Sequence, residues 1–108
     1  MESDEVLSEE ELSAVERRVA AATPGPWVGW MESRHGIGGT SFIQLRTDAE
    51  EDGEIYLTRA TGGRQVVGVD AQTDADIEFI AGARQDVPRL VSEIRRLRAV
   101  LDGAFSAD

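Results

Sequence analysis

A chain of 108 residues, 41% of them hydrophobic, with no cysteine and a net charge of −10, has the length of one domain with a modest core. It holds no apolar run of the roughly 20 residues that span a bilayer, and no thiol for a disulfide framework or a thiolate metal site. Its acidity argues against general nucleic-acid binding, which needs a basic footprint; the acidic N-terminus is unlike a signal peptide, and a cytoplasmic location is expected.

The charge is uneven. Residues 1–16 hold seven acidic side chains and no basic one, whereas residues 83–101 carry Arg84, Arg89, Arg95, Arg96 and Arg98 against Asp86 and Glu93. All eleven basic residues are arginines, which offer fixed bidentate donors wherever one faces a pocket. The Arg95, Arg96 and Arg98 cluster reads as a solvated face suited to the negative end of a helix. Its alternative role is to dock an acidic partner, including the acidic N-terminus of a second subunit.

Residues 1–7 read as an acidic flexible lead, 8–102 as a single α+β domain and 103–108 as a short tail. Ser8 opens the first helix with a capping box completed by Glu11, and Leu7 and Leu12 have the spacing of a hydrophobic staple. Leu12, Val15, Val19 and Ala22 then line one face at helical spacing. Pro24-Gly25-Pro26 stops the helix at Thr23, because a donor is missing on each side of a flexible residue.

Strands are predicted over 27–32, 41–47, 54–60 and 65–69. In the first, Trp27 and Met31 share one face and Val28 and Trp30 the other; in the second, Ile43 and Leu45 alternate with Phe42, Gln44 and Arg46. The connectors Gly36-Ile37-Gly38-Gly39, Asp52-Gly53 and Thr61-Gly62-Gly63 carry turn chemistry. Short strands on short loops read as a three- to four-stranded antiparallel meander.

After Asp70 the period returns to that of a helix. Thr73 and Asp76 have cap spacing, with Ile77, Ile80 and Ala81 inward, and Asp86-Val87-Pro88 is expected to break and restart the helix, since proline suits a first turn. The C-terminal part is thus one broken helix or two. Val87, Leu90, Ile94, Leu97 and Leu101 form an a/d seam over two heptads, ended by Gly103. The seam covers the sheet or meets a partner helix, and a homodimer is the expected partner.

His35 is the only histidine, so a zinc site would have to draw its other protein ligands from carboxylates; no metal or cofactor is expected. Asp48-Ala49-Glu50-Glu51-Asp52-Gly53 begins like a calcium loop, but Arg59 stands where the closing glutamate belongs, and an acidic hairpin loop is the simpler reading. No G-x-S-x-G turn is present, and no catalytic residue is assigned. The most suggestive stretch is Arg34-His35-Gly36-Ile37-Gly38-Gly39-Thr40. Its glycine amides approach an anion closely while Arg34, His35 and Thr40 add donors; a plain hairpin turn is the alternative. Trp27 or Trp30 beside it, with Arg46 or Arg59 on neighbouring strands, would complete a pocket for an anionic, nucleotide-like molecule. A tryptophan next to Pro-Gly-Pro also serves simply as an anchor.

Ala22-Thr23-Pro24-Gly25-Pro26-Trp27, together with Asp74-Ala75-Asp76-Ile77-Glu78-Phe79-Ile80-Ala81 and the Asp86-Val87-Pro88-Arg89-Leu90 run, resembles the small ATPGPW-type proteins of actinobacteria and their phages, grouped with Ead-like phage early proteins. Ile77 stands where a small residue can precede the Glu-Phe-Ile run, and 31–70 has no counterpart. The resemblance implies a helix ending in a Pro-Gly-Pro-Trp turn, a second helix before a Val-Pro-led one, and a phage or actinobacterial accessory setting. It implies no catalytic residues.

Three functions follow. The first is a non-enzymatic binding protein that sequesters an anionic nucleotide-like molecule. The second is a protein-interaction module acting through the heptad helix. The third is a small carboxylate-based hydrolase.

Overall fold

The computed structural model describes residues 6–31, 41–45 and 53–106. The elements run α1 (Glu9–Ala21), β1 (Val28–Trp30), β2 (Phe42–Gln44), β3 (Glu54–Tyr56), β4 (Arg59–Thr61), β5 (Arg64–Val66) and α2 (Ala71–Ser106). The fold is α+β. No helix among the described residues is long and apolar enough to cross a membrane. The chain divides into two compact units, a helical one (Met1–Ala22 with Asp86–Asp108) and a sheet-bearing one (Thr23–Gln85).

In the helical unit the capping box forms as the sequence predicts. The Glu11 amide donates to Ser8 Oγ at 3.0 Å, and the Ser8 amide donates to Glu11 Oε1 at 2.8 Å. Hydrogen bonding from the Ser8 backbone amide, and then from the Ser8 side chain, holds the Glu11 carboxyl below its ordinary pKa. The helix ends at Ala21, where the Ala22 amide reaches back to the Arg18 and Val19 carbonyls and the Ala22 backbone turns extended ahead of Pro24. Leu12 is buried, and Val15, Val19 and Ala22 are half-buried. The later part of α2 runs antiparallel to α1. Arg98 donates to the Leu7 carbonyl near the start of α1, whereas Pro88, Val91 and Ser92 border Glu16, Val19 and Ala20 near its end.

The sheet unit holds the larger apolar core. β2 pairs antiparallel with both β1 and β3, in the register Gly29↔Ile43↔Ile55 and Trp30↔Phe42↔Tyr56. Met31, Ile43, Ile77 and Ala81 form the buried cluster, with Trp27, Leu45 and Leu57 packed against it. Gly29 is what lets the helix settle on the sheet, because a Cβ there would stand 2.9 Å from Ile77 Cγ2. The Trp27/Met31 face predicted for β1 is therefore the core face.

Several sequence expectations change. The strand predicted over 54–60 is two strands: its first part pairs with β2, its last part with β5, and Leu57 and Thr58 between them belong to neither ladder. β4 and β5 form a separate two-stranded sheet. Their two-residue turn has Gly62 and Gly63 at φ 59° and 79°, the positive pair of a type I′ hairpin turn, which glycine adopts without strain. α2 starts at Ala71, earlier than the Thr73 cap predicted. Asp70 is the cap: its Oδ2 accepts from the Thr73 amide at 2.9 Å and from the Thr73 hydroxyl at 2.5 Å. Ile80 is 38% exposed instead of inward.

The expected break at Asp86-Val87-Pro88 does not occur, and α2 is continuous over 36 residues with Pro88 inside it. Proline's fixed φ near −65° is helical, and its cost here is the hydrogen bond to the carbonyl four residues back. Ala81 before it and Val91 after it are each buried in their own unit, so packing holds both flanks helical. Gly103 does not end the helix either. Its φ is not positive, and the helix runs on to Ser106.

Candidate functional site

The residues predicted to line an anion pocket do not meet at one place among the described residues. Arg34, His35, Gly36, Gly38, Gly39, Thr40 and Arg46 lie outside the described residues. Trp27 is an anchor. Its amide donates to Gln85 Oε1 and its indole N–H to the Thr23 carbonyl, both at 3.0 Å, while its ring packs on the core cluster. Arg84 donates to the same Thr23 carbonyl at 2.8 Å. The Pro-Gly-Pro turn is thus tied to α2 through polar contacts on both sides of it.

Arg59 sits at the start of α2. Its Nε donates to Thr73 Oγ1 at 2.9 Å, and its guanidinium pairs with Asp76 and, at 3.7 Å, with Asp70. Hydrogen bonds from Thr73, then the nearby guanidinium, hold the Asp70 carboxyl below its ordinary pKa. A cavity of about 430 Å³ opens beside this cluster, bordered by Leu57, Arg59, Val67 and Thr73. Two carboxylates already neutralise the arginine, which leaves it poorly matched to an anion.

Trp30 lies on the other face of the sheet, where it forms a cross-strand row with Phe42 and Tyr56. The Phe42 and Tyr56 rings stack with centroids 5.0 Å apart and planes 28° from parallel. The Trp30 indole N–H donates to Gln44 Oε1 at 2.9 Å, and the Tyr56 hydroxyl donates to Glu54 Oε1, also at 2.9 Å. That hydrogen bond and the carboxylate's charge push the Tyr56 pKa above its ordinary value. Tyr56 itself is 56% exposed. Sequence alternation already places Trp30 and Phe42 opposite the core face. Tyr56 was missed as a site residue, because only the strand register sets it beside Phe42.

The predicted heptad seam is split. Val87 and Ile94 are half-buried, while Leu90, Leu97 and Leu101 are 61%, 45% and 55% exposed. The residues α2 turns toward α1 are instead Val91, Arg95 and Arg98. Arg95 forks between Glu9 at 2.6 Å and Glu16 at 2.7 Å, with Ser13 between them, and Arg98 approaches Glu9. Hydrogen bonds from Arg95 hold the Glu9 and Glu16 carboxyls below their ordinary pKa and raise that of the guanidinium. Arg96 is paired along its own helix with Glu93 at 2.6 Å. The signal for this fork was present in the sequence, since Glu9 and Glu16 are seven residues apart and share a helix face.

Among the described residues no group of three or more His, Asp or Glu side chains is placed to hold a metal ion. Compared with known proteins, the chain matches no family model, no curated sequence and no solved structure.

Proposed function

We propose that this chain is a non-enzymatic interaction module that pairs with a second copy of itself through the later part of α2. The carrying observation is the stripe Leu90, Leu97 and Leu101, exposed on a unit whose only buried hydrophobic side chains, among the described residues, are Leu12 and Val91. A helix pair with so little apolar burial gains most by covering such a stripe. A trough of about 790 Å³ runs beside Leu90, bordered by Arg89, Glu93 and Arg96. Its rim carries both signs of charge, which suits a two-fold partner bearing the same rim. A cytoplasmic setting, and a place in the accessory genomes of actinobacteria or their phages, belong to the same proposal; they rest on the composition and on the resemblance at 22–27 and 74–90.

Sedimentation equilibrium tests it. The chain is expected to be a dimer at micromolar concentration, and Leu97→Asp a folded monomer with an unchanged helical circular-dichroism spectrum. A wild-type monomer at high micromolar concentration overturns the reading. So does a Leu97→Asp variant that unfolds a chain already shown to be monomeric.

The alternative, an anionic nucleotide-like ligand held by Trp30 and the Arg34–Thr40 stretch, is supported by the cross-strand aromatic row Trp30, Phe42 and Tyr56. Calorimetry with linear and cyclic nucleotides decides it. Arg34→Ala is then expected to weaken binding by about 1.5–3 kcal/mol, the usual worth of a hydrogen bond to a charged group.

A further inference from the structure

The outer face of the three-stranded sheet has a chemistry of its own, separate from α2. The register places Val28 and Trp30, Phe42 and Gln44, and Glu54 and Tyr56 on it, opposite the side on which Gly29 and Ile43 pack against Ile77. Three of these six side chains are aromatic, one is a carboxylate and none is basic. The aromatic faces are regions of negative potential that attract a cation. Glu54 adds a full negative charge at the end of the row. Its Oε1 accepts from Tyr56, and among the described residues no arginine pairs with it. The hydrogen bond also fixes the phenol beside the carboxylate, so the ring and the charge are presented together.

We infer that this face docks an arginine side chain of a partner protein, the guanidinium lying over the Phe42–Tyr56 stack with Glu54 as its counter-charge. The charge pattern selects the occupant. A cation meets the Glu54 carboxylate and the aromatic faces together, in a chain of net charge −10. Arginine is favoured over lysine because its planar, weakly hydrated guanidinium stacks on a ring while its edge donates to a carboxylate. The inference does not depend on self-association, since its residues all belong to the sheet unit.

The test is a nuclear magnetic resonance titration of the isotope-labelled full chain with N-acetyl-arginine methylamide. Its uncharged isostere, N-acetyl-citrulline methylamide, and adenosine monophosphate are run as parallel arms. Saturable shifts are expected at the Trp30 indole and at Glu54 and Tyr56 with the arginine amide, and much smaller ones in the other arms. Glu54→Gln and Tyr56→Ala are each expected to weaken the arginine amide about two- to fivefold, the range of an exposed cation–π contact. Both positions are exposed, so the variants should keep the wild-type spectrum elsewhere. Equal binding of the citrulline amide overturns the inference. So do shifts confined to the acidic face of α1, a response to the nucleotide alone, unchanged affinity in both variants, or no saturable shift at millimolar amide.

Discussion

The two units share one helix and use it differently. In the sheet unit, α2 lowers Ile77 and Ala81 onto β1 and β2, and Ile43 is fully enclosed. In the helical unit the same helix buries Val91 and spends two arginines on α1. The first contact is apolar and close, down to the missing Cβ of Gly29. The second is mainly ionic and half-exposed, and ion pairs of that kind contribute little net free energy. Their effect is directional. Val91 is about 100° around the helix from Leu90, so the face that brings Arg95 to Glu9 and Glu16 leaves the leucines outside. The arginine-bearing face of α2 thus meets α1, and the stripe Leu90, Leu97 and Leu101 stays available to a partner.

The comparison is most sharply tested in the sheet core. Ile43→Ala is expected to cost about 2–5 kcal/mol, the usual range for emptying a fully buried aliphatic site, read as a drop in the denaturation midpoint. A loss under 1 kcal/mol would mean that the sheet unit is no better packed than the helical one.

A smaller effect is expected in the helical unit. Ser8→Ala removes the acceptor for the Glu11 amide and should cost about 0.5–2 kcal/mol, seen as reduced helicity and a lower midpoint. An unchanged midpoint would show that α1 is held by its packing on α2 and not by its cap.

Acid should act on the helical unit, and its effect is the smallest expected. The Glu9 and Glu16 carboxyls are held below their ordinary value of 4.5 in the folded chain, chiefly by hydrogen bonds from Arg95. Their contribution is therefore fully present above that value and is lost as the pH falls through the depressed folded range. Stability measured from pH 6 downward should decline less steeply in Glu16→Gln than in the wild type. Identical slopes would remove Arg95 from the account of how α1 and α2 face each other.

Much of the local structure was legible in the chain. The capping box at Ser8, the stop before Pro24, the core face shared by Trp27, Met31 and Ile43, and the glycine turn at 62–63 each follow from interactions between residues close in sequence, or from an alternation that backbone geometry enforces. The cap of α2 was misplaced by three residues because Asp70 and Thr73 both have cap chemistry, and only the hydrogen bonds from Thr73 to Asp70 distinguish them. Most of the expected anion site rests on residues outside those described. The aromatic row needed the strand register, which joins Trp30, Phe42 and Tyr56 from three separate segments.

What the sequence determined by itself is where α1 begins, which face of β1 and β2 is apolar, and that the fold is α+β, because those properties are set within a few residues by hydrogen-bond geometry and side-chain period. The tertiary structure alone decided that the predicted third strand divides between two sheets, that α2 passes through Pro88, and that Arg95 rather than Leu90 meets α1. In each case the deciding contacts join residues distant in sequence, such as Glu16 and Arg95 at a separation of 79 residues, and no local period or cap encodes them.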